Sequence, residues 1–519
     1  MKRHKRALRV LAMGLVVALA FLILPAITDS GQRASANGPF YTLIYYDGHM
    51  HTSRSDGTGS VAQIKATALA RGLDAVIITD HCKMLTLAEW NSLVAETAAA
   101  SEPGVFLALP GFEMTGSEGI FNRGHMNALN TPDPFVGNDV DELCPEEVWP
   151  DPFNPAGTGP IYPENFAEWA EYVHSQGGIA VHNHTSGTTL LDYGVDDIEL
   201  YNQGHVDDIM SYAMALGVDP ATAWGLAITM NDFAVYGERD LMMMVTLPGF
   251  PPMPLRLAIY MATQFIPPNV GQIMGWNPPT PPDPTVPGDL NSWDELLMAY
   301  VDGTTAEPIF GVANSDAHNT AAPDSKVGSA KTGLYVHELT AAEIYDAIEG
   351  GRGFATNGPS LDFSVNGEPM GSTTYNPFGI TAELNLGAAS ESPTAILVKI
   401  DIIKNGAILQ TINPMAPIYG GTVLDDAVTE NGYYRIEVTS LDMATGAYYF
   451  AWSNPVFLSA ASETVGGMVE HYVDGNAPAA ASASSSGSDY VLPLAAIVAG
   501  AIVVVLAGGG WYARRRWLR

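Results

Sequence analysis

Leu73-Asp74-Ala75-Val76-Ile77-Ile78-Thr79-Asp80-His81 is an apolar run that stops on a carboxylate and an imidazole. A run of this kind between turn residues reads as a strand buried on both faces, as in a parallel sheet covered by helices. Val105-Phe106-Leu107-Ala108-Leu109, Gly178-Ile179-Ala180-Val181 and Ile309-Phe310-Gly311-Val312-Ala313 repeat the type. Helix-like windows at 61–71 and 87–100 lie between them. The alternation over 40–358 predicts an α/β fold whose parallel sheet closes into a barrel.

Ligand-type residues sit at or just past the C-terminal ends of these strands, where barrel enzymes carry their active sites. His49, His51, Asp56, His81, Glu113, His125, His184, Asp316 and His318 are nine candidate metal ligands, and they include six of the chain's 12 His. Imidazole nitrogen with carboxylate oxygen suits zinc, manganese or iron, and carboxylates can bridge two ions. His49 and His51 flank a single residue, so an extended strand points both to one side. Asp80 is expected to orient a ligand imidazole or to cap the helix that follows. Glu199, at another strand end, either bonds a ligand or packs its loop. Of the basic residues nearest the motifs, Arg54 and Arg123 are the candidates for contacting substrate, with a solvated surface role as the alternative; Arg grips an anion bidentately.

The interval 205–291 breaks the strand–helix rhythm with Met242-Met243-Met244 and a Pro-rich stretch, and reads as an insertion beside the barrel mouth. From 359 to 460 short strands and turns take over, among them Asn405-Gly406, predicting an all-β sandwich. Residues 461–489, rich in Ala and Ser, read as a flexible stalk.

Both ends point to a membrane. Lys2-Arg3-His4-Lys5-Arg6, an apolar run over 10–27 and Ala34-Ser35-Ala36 have the order of a secretory signal ending at 36. Residues 490–513 read as a transmembrane helix, with a basic tail at 514–519 that stays cytoplasmic. The expectation is a single-pass protein with its catalytic body outside the cell membrane. A formal charge of −33 speaks against nucleic acid as a partner. Cys82 and Cys144 are the only cysteines. A bridge between them, a thiol beside the metals and an inert buried thiol are the three readings of Cys82.

Asp47-Gly48-His49-Met50-His51-Thr52, Ser55-Asp56-Gly57, Thr79-Asp80-His81, Gly111-Phe112-Glu113 and Gly124-His125-Met126-Asn127 come first in the chain. Asn183-His184, Ile198-Glu199-Leu200-Tyr201-Asn202 and Asn314-Ser315-Asp316-Ala317-His318 follow in order. Together they resemble the polymerase and histidinol phosphatase (PHP) superfamily of metal-dependent hydrolases. Trp293-Asp294-Glu295, Gly350-Gly351-Arg352 and Asn357-Gly358-Pro359 are similar to its CehA/McbA branch, which includes aryl carbamate hydrolases. The resemblance implies a distorted (β/α)7 PHP-type barrel with two or three divalent metals. By that pattern His49, His51, Glu113 and Asp316 hold one ion, Glu113 with His125 and His184 a second, and Asp56, His81 and His318 a third. The family places Pro after the residue matching His184, where this chain has Thr185, so His182 is a rival ligand or a donor behind one.

The leading expectation is a phosphoesterase acting on a small-molecule ester with water activated between metals, Glu113 as the bridge and Asp316 as proton acceptor. An amide or carbamate hydrolase, and a non-catalytic surface protein with a metal-stabilised barrel, are the competing readings.

Overall fold

A computed structural model describes residues 41–115, 125–132, 166–183, 194–215, 293–321, 325–375, 381–426 and 428–459, with short pieces at 220, 223–224, 227, 244–245 and 253–254. The signal, stalk, transmembrane and tail segments lie outside these residues, as do Arg123, Cys144, His184 and most of the insertion. Among the described residues no helix is long and apolar enough to cross a membrane.

The strands are β1 (Thr42–Asp47), β2 (Ala75–His81), β3 (Leu107–Thr115), β4 (His125–Leu129), β5 (Ile179–Asn183), β6 (Asp197–Asn202), a small pair β7 (Met244–Val245) and β8 (Met253–Pro254), and β9 (Phe310–Asn314). They stand side by side as β1-β2-β3-β4-β5-β6-β9, with β7 and β8 apart. The two ends of this row meet beyond their strands. Met50 and Ala317 form a parallel bridge, and the His51 amide donates to the Ala317 carbonyl at 3.0 Å.

One strand departs from the expected all-parallel barrel. β4 runs antiparallel to both β3 and β5, while β1–β2, β2–β3, β5–β6 and β6–β9 are parallel. The 116–124 connection is shorter than the dozen or so residues a parallel crossover needs, so the chain must turn straight back.

Helices α1 (Val61–Ala70), α2 (Leu87–Ala100), α3 (Phe166–Ser175), α4 (Gln203–Ala215), α5 (Trp293–Val301) and α6 (Ala341–Glu349) complete the barrel region. Ser60 with Gln63 and Thr86 with Glu89 form capping boxes that start α1 and α2. Strand period sorts the side chains. Val76, Ile78, Phe112, Met126 and Ile198 point outward and share a core with Ile64, Ala68, Trp90, Leu93, Trp169 and Val173 of the helices. Ile77, Leu109, Leu129, Ile179, Val181 and Val312 share an inner core with Tyr46.

Beyond the barrel come β10 (Lys331–Val336), β11 (Gly353–Thr356), β12 (Ser360–Val365), β13 (Glu368–Pro369), β14 (Thr373–Tyr375) and β15 (Ala382–Ala389). β16 (Ala395–Lys404), β17 (Ala407–Ile412), β18 (Ile418–Asp425), β19 (Gly432–Asp442), β20 (Tyr448–Ser453) and β21 (Val456–Ser459) complete the set. One sheet runs β13-β12-β15-β18; the other holds β14-β21-β19-β20 with β16 and β17. Phe363, Leu384 and Leu386 of the first meet Ile400, Ile402 and Ile436 of the second in one apolar layer. β14 pairs with β21 in parallel, so the layer is not wholly antiparallel. Asn405 and Gly406 both take positive φ, 50° and 76°, which a tight hairpin between β16 and β17 requires.

The second sheet continues without a break into the barrel through β20, β11, β10 and β1. Asn454 Oδ1 accepts from the Gly311 amide at 2.7 Å, and Thr332 Oγ1 accepts from the Ala313 amide at 2.9 Å. Side chains rather than a neighbouring strand thus satisfy this edge of β9.

Candidate metal centre

Inward-facing positions change character along each strand. Ile77, Leu109 and Val181 are apolar; farther along the same faces stand His81, Glu113 and Asn183. Because β4 is reversed, its polar inward residues His125 and Asn127 come at its start, and so reach the same end of the barrel. His49 and His51 follow β1, and Asp316 and His318 follow β9.

Eight of the candidate ligands therefore converge. His51, Asp56, His81 and His318 form one group, His49, His51 and Asp316 a second, and His81, Glu113 and His125 a third; within each, ligand atoms lie within 4.8 Å of one another. Glu113 joins the last two groups. Its Oε1 lies 2.8 Å from His125 Nδ1 and 3.4 Å from His49 Nε2, and its Oε2 lies 2.9 Å from His81 Nδ1 and 3.4 Å from His51 Nε2. Asp316 Oδ1 is 3.3 Å from both His49 Nε2 and His51 Nε2. Asp56 Oδ2 is 3.3 Å from His81 Nε2 and from His318 Nε2. The grouping of His81 with Glu113 and His125 brings together residues that the family pattern assigns to different ions. His184 and Arg123 lie outside the described residues.

The donor set fits divalent cations. His49, His51 and Glu113 are fully buried, and among the described residues His51 Nδ1 makes no hydrogen bond, with Asp56 Oδ1 at 3.7 Å. Burial opposes charge on Glu113, yet the imidazoles of His81, His125 and His49 hold its carboxyl well below the ordinary value. Burial likewise opposes a proton on His81, but Glu113 and Asp56 push it up to about 10. His318 is pushed up to about 9 against its burial by Asp56 and Asp316. A cluster that draws protons so strongly calls for positive charge, which bound metal would supply.

Strand parity settles what the polar neighbours do. Asp80 faces away from His81 and accepts from the Thr52 amide, the Thr52 hydroxyl and the Ser55 hydroxyl at 2.6, 2.7 and 2.6 Å. It holds the loop that carries Asp56 instead of orienting an imidazole. His182 alternates with Asn183; it pairs across the ladder with outward Met126 and Ile198, and burial lowers it to about 4. Asn183 is the inward residue, donating to Glu113 Oε1 at 2.9 Å and to Asn127 Oδ1 at 3.0 Å. Glu199 Oε1 lies 2.8 Å from His49 Nδ1 and takes further bonds from Asn314 and Asn202. Arg54 reaches Glu96 and Ser92 on α2, which engages the guanidinium away from the cluster. Cys82, directly after His81, is disulfide-bonded; Cys144 is the chain's other cysteine.

Asn127 and Asn183 stand in the motifs quoted from the sequence but were given no role there, and Gly204 was not singled out; inward parity gives the two amides theirs. Gly204 abuts the turn in which Asp316 adopts φ 49°, a left-handed conformation Asp tolerates. A Cβ on Gly204 would come 2.8 Å from the Asp316 carbonyl oxygen.

Residues 47–125 match the PHP domain model, the stretch that carries His49, His51, Asp56, His81, Glu113 and His125. Over this stretch the chain is similar to the PHP domain. An uncharacterized protein of Chlamydia pneumoniae is 26% identical over 156 residues, which cover 26% of this chain and 24% of that protein. The chain thus spans about a quarter of that relative's length. A two-domain protein of Bacteroides vulgatus containing a predicted PHP-like metal-dependent phosphoesterase is 12% identical, with a TM-score of 0.33, covering 80% of this chain and 95% of its own. A Bifidobacterium adolescentis protein predicted to be a metal-dependent phosphoesterase is 20% identical, with a TM-score of 0.21, covering 31% and 78%. Likenesses at these scores carry no argument about this chain's fold or activity.

Proposed function

We propose that this protein is a metal-dependent hydrolase acting as a phosphoesterase on a small-molecule ester. The observation that carries the reading is the position of Glu113: each carboxylate oxygen is shared between two imidazoles, which is how a carboxylate bridging neighbouring ions is placed. Zinc, manganese or iron, as two or three ions, match the mixed imidazole and carboxylate donors. When bound, such ions activate water and stabilise charge on the oxygen that receives it. Asp316, whose side chain is 10% exposed, stands at the open side of the cluster and takes the proton of the attacking water. Glu199 fixes the His49 ring, Asn183 fixes Glu113, and Asp80 fixes the Asp56 loop.

The residues that suggested an amide or carbamate hydrolase of the CehA/McbA kind sit elsewhere. Asp294 bonds Arg435 of β19, and Asn357 Oδ1 accepts from the Phe450 amide of β20. They serve the junction with the sandwich, so phosphoester hydrolysis is preferred. A cell-membrane location, with the catalytic body outside and a C-terminal anchor, is part of the proposal; the Cys82 disulfide supports an oxidising compartment.

The test is metal analysis of the purified protein together with turnover of p-nitrophenyl phosphate, its diester and 1-naphthyl carbamates. Phosphoester turnover lost on chelation and restored by metal is expected. Carbamate turnover alone overturns the phosphoesterase assignment.

A further inference from the structure

Residues 405–424 contain no Asp, Glu, Lys, Arg or His, in a chain whose formal charge is −33. They build β17 and β18, each the last strand of its sheet, and the link between them passes from one sheet to the other. Lys404 and Asp425, which bound the stretch, are 2.6 Å apart, so both edges lie on one side of the sandwich. Ile408, Met415, Ile418 and Leu424 are exposed by 54, 63, 50 and 60%. Among the described residues β17 pairs only with β16.

We propose that this edge is a self-association surface, on which β17 of one chain pairs antiparallel with β17 of a second copy. Three features select that occupant. Among the described residues the outward amides and carbonyls of β17 have no ladder partner, and another strand satisfies them where a lipid surface cannot. Natural edges are usually guarded by Lys or Pro, and β17, Ala-Ile-Leu-Gln-Thr-Ile, has neither. Two copies of so acidic a chain repel each other, and an uncharged strip is where they approach at least cost. Two-fold antiparallel pairing centred on Gln410 sets Ile408 of each copy against Ile412 of the other, which is self-complementary by construction. The ladder register shifts at Ile402/Ile403, opposite Ile408 and Gln410, and such an irregularity twists the edge and disfavours open-ended stacking. A closed pair is the result.

The assembly is tested on the full chain in detergent by sedimentation equilibrium at micromolar concentrations, wild type against Ile408→Lys. Wild type is expected to dimerise, more tightly as salt rises because the repulsion is screened. Ile408→Lys is expected to weaken the dimer at least tenfold with unchanged circular dichroism and ester turnover. Gln410→Cys is expected to form a reducible cross-linked dimer that Ile408→Lys suppresses. A monomeric wild type overturns the proposal, as does a dimer indifferent to Ile408→Lys, or flotation of the monomer with lipid vesicles through this strip. Ester turnover is read separately, so loss of the hydrolase assignment leaves this surface standing.

Discussion

Asp80 Oδ1 accepts the Thr52 amide at 2.6 Å, and its Oδ2 accepts the Thr52 hydroxyl at 2.7 Å. The same carboxylate takes the Ser55 hydroxyl, one residue before Asp56. A residue on the outer face of β2 therefore sets a ligand that faces inward, because the loop after His51 folds over the strand end.

Replacing Asp80 with Ala should weaken an ion bound by Asp56, His81 and His318 more than any ion bound by the other two groups. Partners behind a ligand typically cost about 10–100-fold in metal affinity or activity. Competitive chelation with metal counting is the check. Loss of all ions in parallel would show that Asp80 supports the whole cluster rather than one loop.

Glu113→Gln keeps the shape of the side chain but removes the charge that four imidazoles surround. Turnover should fall by roughly 10²–10³-fold, the scale for losing one strong electrostatic contact at a reaction centre. Metal content should drop with it, while the circular dichroism spectrum stays the same. Unchanged turnover removes the bridging role.

Much of the centre was legible in the sequence, because chemistry and position agreed. Strand runs such as 73–79 ended on ligand-type residues, and Ile77 and His81 share the inward parity of β2. Less legible was anything set by direction or distance. The reversal of β4 depends on a short connection, not on the strand's composition. Asn127 and Asn183 lie in quoted motifs, but what they do there is visible only once strand parity is known. Asp294 and Arg435 are separated by 141 positions, and no local pattern joins them.

That pair makes its own prediction. Arg435 is fully buried, with Nε and Nη2 each 2.8 Å from an Asp294 oxygen, and the Tyr433 hydroxyl donates to Asp294 Oδ1 at 2.6 Å. Arg435→Met leaves Asp294 buried without its cation and should cost about 3–5 kcal/mol. Changing Asp294→Asn together with Arg435→Met should recover part of the loss. Chemical denaturation of Asp294→Asn, Arg435→Met and the double variant measures it; an additive double variant would show that the two side chains act independently.

Asp197 lies within the barrel on β6, on the same face as Glu199, and among the described residues neither carboxylate oxygen has a hydrogen-bond partner. Burial, then the nearby Asp196 and Glu349 carboxylates, push its carboxyl well above the ordinary value. The unfolded chain ionises this group near the usual value of about 3.9. The folded form holds its proton to higher pH, so its contribution is fully present below that unfolded value. Between the two values the unfolded state has lost the proton that the folded state keeps, and stability declines as pH rises through that window. Asp197→Asn cannot ionise and should flatten this dependence. Melting temperatures of the variant and the wild type should therefore converge near pH 4 and separate in the variant's favour toward pH 8, by about 2 °C. Parallel curves across that range would mean that Asp197 finds a compensating cation in the folded barrel.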